Sequence, residues 1–112
     1  MITISGLQYI PDYINLAEEH TLLAQVDAAP WMTTLQRRVQ HYGYVYEYKR
    51  RTVERDMFLG KLPDWGQLLA ERLWWDQFIT QVPDQMIVNE YLAGQGIASH
   101  VDCEPCFGDT VL

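Results

Sequence analysis

The fourteen residues Asn89-Glu90-Tyr91-Leu92-Ala93-Gly94-Gln95-Gly96-Ile97-Ala98-Ser99-His100-Val101-Asp102 constrain the fold more than any other stretch. Two strand-like runs flank a glycine pair, and in a strand successive side chains point to opposite faces. Asn89 and Tyr91 then share a face on the first run, as His100 and Asp102 do on the second. A two-residue turn at Gly94-Gln95, with Gly first as a II′ hairpin prefers, sets Asn89 opposite His100 and Ile87 opposite Asp102. Four polar side chains would converge on one surface. A slip of one residue removes that convergence.

A histidine nitrogen and a carboxylate oxygen suit Fe(II). His-x-Asp supplies two of the three protein ligands of the 2-His-1-carboxylate facial triad, which leaves positions for a bidentate oxyacid and O₂. Asn89 and Tyr91 are suited to hydrogen-bond that oxyacid. By itself His-x-Asp is a weak motif that chance supplies readily, and a surface coincidence is the competing reading.

The chain has 112 residues, 48% of them hydrophobic and 21% charged, which is ordinary for one globular domain with a modest core. No apolar run approaches a membrane span, and the first residues lack the basic region and apolar core of a signal peptide. Cys103 and Cys106 are too few and too close to staple a secreted fold, so a reducing, cytoplasmic setting is expected. Net charge is −7, yet seven of the eight basic residues fall between Arg37 and Lys61, against only Glu47, Glu54 and Asp56. That window carries +4. A basic island in an acidic chain steers a polyanion to one surface, or simply solubilises an exposed strand and loop.

Asn15 followed by Glu18 reads as a capping box that opens a helix through about Ala28, with Leu16, Leu22, Leu23 and Val26 as its apolar stripe. Ala29-Pro30 ends it. Thr34 to Tyr48 reads as a strand, with Gly43 a bulge or turn inside it. Asp64 and Gln67 suggest a second capping pair, opening a helix to about Gln81 with Trp65, Leu68, Leu69 and Phe78 on its buried side. Met86 to Leu92, Ile97 to Asp102 and a segment after Phe107 read as further strands. This is an α+β pattern with two N-terminal helices packed on a sheet.

The ordered set Pro83-Asp84-Gln85-Met86-Ile87-Val88-Asn89-Glu90-Tyr91, Gly94-Gln95-Gly96-Ile97, His100-Val101-Asp102 and Phe107-Gly108 resembles the AlkB family of Fe(II)- and 2-oxoglutarate-dependent dioxygenases. Arg37-Arg38-Val39-Gln40-His41-Tyr42-Gly43-Tyr44 is similar to the strand that opens the nucleotide-recognition region of that family. The resemblance covers nearly all of residues 1–112 and implies a double-stranded β-helix, or jelly-roll, fold. It implies His100 and Asp102 as catalytic iron ligands, and Asn89 and Tyr91 as the pair that hydrogen-bonds 2-oxoglutarate. The implied reaction splits 2-oxoglutarate to succinate and CO₂ and hydroxylates an N-alkyl group, whose hemiaminal releases an aldehyde. Alkylated DNA or RNA bases are the expected substrates, with protein as another possibility in the family. A single-stranded or flipped base calls for aromatic stacking and cations. Arg38, Tyr42, Tyr44 and Tyr46 are in register to provide both, unless the tyrosines pack beneath the helices with their hydroxyls at the rim.

Two features depart from that pattern. The resemblance implies a distal His and an Arg downstream, and neither His20, on a predicted helix, nor His41, on the substrate strand, reads as the third ligand. The chain is therefore expected to be the N-terminal portion of one domain, incomplete at its C-terminus and inactive alone. Open sheet edges would then favour self-association or pairing with a missing half. The other departure is Cys103-Glu104-Pro105-Cys106, which beside His100 and Asp102 raises the alternative of a small zinc protein. A non-catalytic nucleic-acid or protein binding module using the Tyr/Arg strand is the remaining alternative.

Overall fold

A computed structural model describes residues 3–46, 57–100, 102, 108 and 110–112. The elements run in the order α1 (Leu16–Ala28), β1 (Arg38–Tyr42), α2 (Asp64–Trp75) and β2 (Met86–Glu90). Helices and strands together make the described residues α+β. Two strands do not by themselves make a jelly roll.

Helix α1 begins where the capping box places it. Asn15 Oδ1 accepts from the Glu18 amide at 2.8 Å, and the Glu18 carboxylate accepts from the Asn15 amide at 2.9 Å. Two backbone donors that a helix start leaves open are thereby satisfied. Ala29, ahead of Pro30, is already extended and ends the helix. The apolar stripe is covered less than expected: Leu22 and Val26 are half-buried, while Leu16 and Leu23 are exposed.

Strands β1 and β2 pair antiparallel, with Arg38 opposite Glu90, Val39 opposite Asn89, Gln40 opposite Val88, His41 opposite Ile87 and Tyr42 opposite Met86. The other edge of β1 is bridged by Met32, which exchanges both backbone bonds with Val39 at 2.8 and 3.0 Å. Val39 is thus central and fully buried. Because opposed side chains share a face, Arg38, Gln40, Tyr42, Met86, Val88 and Glu90 form one face. Val39, His41, Ile87 and Asn89 form the other.

The first face meets the helices. Gln40, almost wholly buried, donates to the Val26 and Ala29 carbonyls at the end of α1 and accepts from the Tyr42 hydroxyl at 2.7 Å. Tyr42 stacks edge-on against Trp65 of α2, with ring centroids 5.3 Å apart. Gly66 of α2 lies so near Met86 that a Cβ there would sit 3.0 Å from the Met86 methyl.

The long strand expected over 34–48 is shorter. Regular pairing stops at Tyr42, and Gly43 takes a left-handed φ of +81°. Tyr44 then bridges Phe58, with Val45 and Gly43 bonded to Met57 and Leu59. Tyr48 lies outside the described residues.

Helix α2 also differs at both ends. Its N-cap is Pro63, which offers no side-chain cap, and Gln67 binds Glu71 rather than Asp64. The helix stops at Trp75, not near Gln81. Gln77 turns left-handed at φ 67°, its amide reaches the Trp74 carbonyl, and the Phe78 amide reaches the Leu73 carbonyl. That pair of bonds is a Schellman stop, formed here without glycine. Phe78 consequently leaves the helix and packs edge-on against Tyr13. Among the described residues no helix is long and apolar enough to cross a membrane.

Candidate functional site

Of the four polar residues, Asn89 lies on the second face of the sheet. Asn89 is exposed near the end of β2, and its Oδ1 accepts a 2.9 Å bond from Arg37 Nε. The Arg37 guanidinium also lies over the Tyr91 ring, 5.9 Å from its centroid, within cation–π range. Asn89 and Tyr91 therefore stand on one side, joined through Arg37.

The hairpin expected after them does not form. The Gln95 amide bonds the Leu92 carbonyl at 2.9 Å, so the turn spans Leu92–Gln95 and Gly94, at φ +85°, is its third residue. A positive φ at the third position demands glycine, which accounts for Gly94 without the II′ turn first expected. No strand occurs over residues 97–100, and β2 takes β1 as its partner. Opposition of Asn89 to His100 and of Ile87 to Asp102 is thus overturned. The Gln95 side chain instead sews the turn to the segment before β1: it accepts from the Leu92 amide at 2.9 Å and donates to the Gln36 carbonyl at 3.0 Å.

His100 and Asp102 do come together. His100 Nε2 lies 3.3 Å from Asp102 Oδ1, and both side chains are about half exposed. His100 Nδ1 lies 2.8 Å from the Ala98 carbonyl oxygen. A carbonyl only accepts, so Nδ1 carries a proton directed at Ala98, which leaves Nε2 as the ring nitrogen facing the carboxylate.

The four residues proposed for substrate are distributed unevenly. Arg38 is held by Glu90 through two bonds, 2.6 and 2.9 Å, while its guanidinium sits 4.2 Å over Trp31. The bond to Arg38 holds the Glu90 carboxyl below the usual carboxylate range. Tyr42 faces the helices, and burial pushes its hydroxyl pKa up. Tyr44 packs against Phe58 with centroids 5.2 Å apart, and Tyr46 is half-buried. The remaining cations of the basic island from Lys49 to Arg55 lie outside the described residues, as do Cys103 and Cys106.

No family model matches the chain. Curated relatives do. The chain is 39% identical over 116 residues to the "Alkylated DNA repair protein ALKBH8 homolog" of Arabidopsis thaliana, which covers 99% of this chain and 34% of that protein. It is 37% identical over 107 residues to the "Probable RNA/DNA demethylase ALKBH6" of Danio rerio, with 92% of this chain and 43% of that protein aligned. A "DNA N6-methyl adenine demethylase" of Caenorhabditis elegans is 30% identical over 73 residues, 64% of this chain and 25% of that protein. The chain belongs to an AlkB-like family. It spans about a third of the length of the Arabidopsis relative.

An AlkB-like chain implies Fe(II), and the donor set can be compared with that ion. Two donors on adjacent positions of a first-row metal, each roughly 2.0–2.2 Å from it, lie about 3 Å apart. The His100–Asp102 separation is of that size, and a ligating imidazole commonly gives its other N–H to a carbonyl, as His100 does to Ala98. The pair fits as two ligands. Among the described residues, no group of three His, Cys, Asp or Glu side chains is placed to hold a metal.

Arg37 contacts Asn89 and Tyr91, whereas sequence register singles out Arg38, which is in phase with the tyrosines. Alternation nevertheless puts Arg37 on the face of Val39, the residue opposite Asn89, and that parity was the available signal.

Proposed function

We propose that this AlkB-like chain is the N-terminal portion of a single jelly-roll domain whose Fe(II)/2-oxoglutarate-dependent dioxygenase activity dealkylates nucleic-acid bases. The observation that carries the reading is the His100–Asp102 pair, in which Nδ1–H is directed at the Ala98 carbonyl and Nε2 faces the carboxylate. Relatives named for DNA repair and for RNA or DNA demethylation support the substrate class.

Fe(II), once bound, supplies the activation of O₂ that couples 2-oxoglutarate cleavage to hydroxylation of the N-alkyl carbon. His100 Nε2 and an Asp102 oxygen would hold it. Asn89 and Tyr91 contribute hydrogen-bond donors for a carboxylate of 2-oxoglutarate. Tyr44 and Tyr46 offer aromatic surface for a base. Arg38 keeps 42% of its side chain exposed while paired, so it can meet a phosphate without leaving Glu90. The reading includes a cytoplasmic setting, on the sequence argument that two cysteines three residues apart do not staple a secreted fold.

The test is stoichiometry. The product of the complete reading frame, given Fe(II), 2-oxoglutarate and N-methylated oligonucleotides, should release succinate in step with demethylated base. His100→Ala and Asp102→Ala should each abolish both. A folded wild-type protein that binds Fe(II) yet releases no succinate with any methylated oligonucleotide defeats the proposal.

A further inference from the structure

Asn89 is an amide with two chemically different ends, and the structure shows which end is taken. Arg37 has no acceptor to offer, so its Nε–H necessarily engages Asn89 Oδ1, at 2.9 Å. The two N–H bonds of Asn89 Nδ2 are thereby the end presented away from Arg37. An exposed asparagine without such a partner exchanges its two ends freely, and half the time would present an acceptor to an incoming carboxylate.

The same guanidinium lies over Tyr91, 5.9 Å from the ring centroid. Arg37 thus touches both members of the pair proposed to bind the oxyacid, and it adds the only formal positive charge among the three. Its own place is fixed from behind. Gln95 binds the carbonyl of Gln36, the residue before it, while capping the Leu92 amide in the turn that follows Tyr91. The segment that carries Arg37 and the turn that follows Tyr91 are thereby tied together through the Gln95 side chain.

We infer that Arg37 is a positioning residue for the 2-oxo acid: it locks the Asn89 amide with its N–H₂ group outward, steadies the Tyr91 ring, and biases the site toward a carboxylate. This deepens the dioxygenase reading and rests on it. The expected ligand is an acceptor-only anion, since the amide presents donors and the guanidinium a cation. A neutral analogue of the same shape can still accept from the amide but loses the attraction of the guanidinium charge.

The experiment measures binding rather than turnover. Mn(II), a redox-inert ion that accepts oxygen and nitrogen ligands, replaces iron, and 2-oxoglutarate is titrated into the product of the complete reading frame. Wild type, Arg37→Lys and Arg37→Gln are compared, and the Asn89 side-chain amide resonances are followed by NMR. Mn(II) affinity should stay constant. Affinity for 2-oxoglutarate should fall about tenfold or more in Arg37→Gln, the scale of losing a charge-assisted contact. Arg37→Lys, which keeps the charge without the planar fork, should fall between. The Asn89 amide signals should move in both variants before any ligand is added.

Equal 2-oxoglutarate affinity in wild type and Arg37→Gln overturns the inference and leaves the dioxygenase reading intact. Loss of single-stranded RNA binding with 2-oxoglutarate affinity unchanged does the same, and reassigns Arg37 to the nucleic acid. If wild type with Mn(II) does not bind 2-oxoglutarate, both fail together. Should Arg37→Gln not fold, Arg37→Lys decides: wild-type affinity and an unmoved Asn89 amide overturn the inference.

Discussion

Gly43 and Asp84 meet backbone to backbone: a Cβ built on Gly43 would lie 1.9 Å from the Asp84 carbonyl oxygen. The contact brings the chain leaving β1 close against the chain entering β2. It is formed at a left-handed φ of +81°, so glycine is required on two independent grounds.

Gly43→Ala should therefore destabilise the protein by about 3 kcal/mol, combining left-handed strain with a forced shift of the Asp84 peptide. Chemical denaturation measures it. Gly94→Ala provides the contrast, because Gly94 has a similar φ and nothing within 4 Å. A loss at Gly43 no larger than at Gly94 would mean the approach to Asp84 relaxes freely.

Gln40→Leu keeps the volume near Tyr42 but removes the amide. The Tyr42 hydroxyl and the last carbonyls of α1 then lose their partners, at a cost of roughly 1–3 kcal/mol. The measurement is thermal or urea unfolding with two probes, one for α1 and one for tryptophan fluorescence. A neutral outcome would show that water replaces the side chain.

Acid should weaken the fold in two stages. Burial lowers the His41 pKa, so the unfolded chain takes up that proton first, and stability present above about 6.5 declines as pH falls through the depressed folded value. Glu90 is also lowered, by its bond to Arg38, so stability present above about 4.3 is lost as pH falls through its folded pKa. Melting temperatures between pH 8 and 3 should show both. Glu90→Gln should remove the lower stage and leave the upper one.

The proposed role of His100 and Asp102 as metal ligands predicts a selective loss. Asp102→Ala should weaken Mn(II) binding by on the order of ten- to a hundredfold while the melting temperature in the absence of metal hardly moves, since an exposed His–Asp contact contributes little to stability. His100→Ala should do the same. A large drop in metal-free stability with unchanged Mn(II) affinity would assign the pair a structural role instead.

Local chemistry was the part of this fold legible in sequence. The Asn15/Glu18 box and the Ala29-Pro30 stop fix α1 within their own few residues, so no tertiary knowledge was needed. The end of α2 was not legible, because a Schellman turn at a glutamine has no composition signal. Strand pairing was not legible either. The run around Asn89 has the alternation to pair with whichever strand lies beside it, and the strand that does so is β1, about fifty residues earlier in sequence. The candidate site divides the same way. His100 and Asp102 meet because they are two residues apart, whereas the engagement of Asn89 by Arg37 depends on that long-range pairing.

The two ties on α1 carry a dynamic consequence. Arg72 grips Glu18 at its first turn, at 2.9 Å, and Gln40 grips its last carbonyls, while its central apolar side chains are only half covered. Fastened at its ends, the helix is able to open locally without the strands separating. Its middle amides should then exchange with deuterated solvent well before those of Val39 and Gln40, making α1 a separate cooperative unit on the sheet that carries the site.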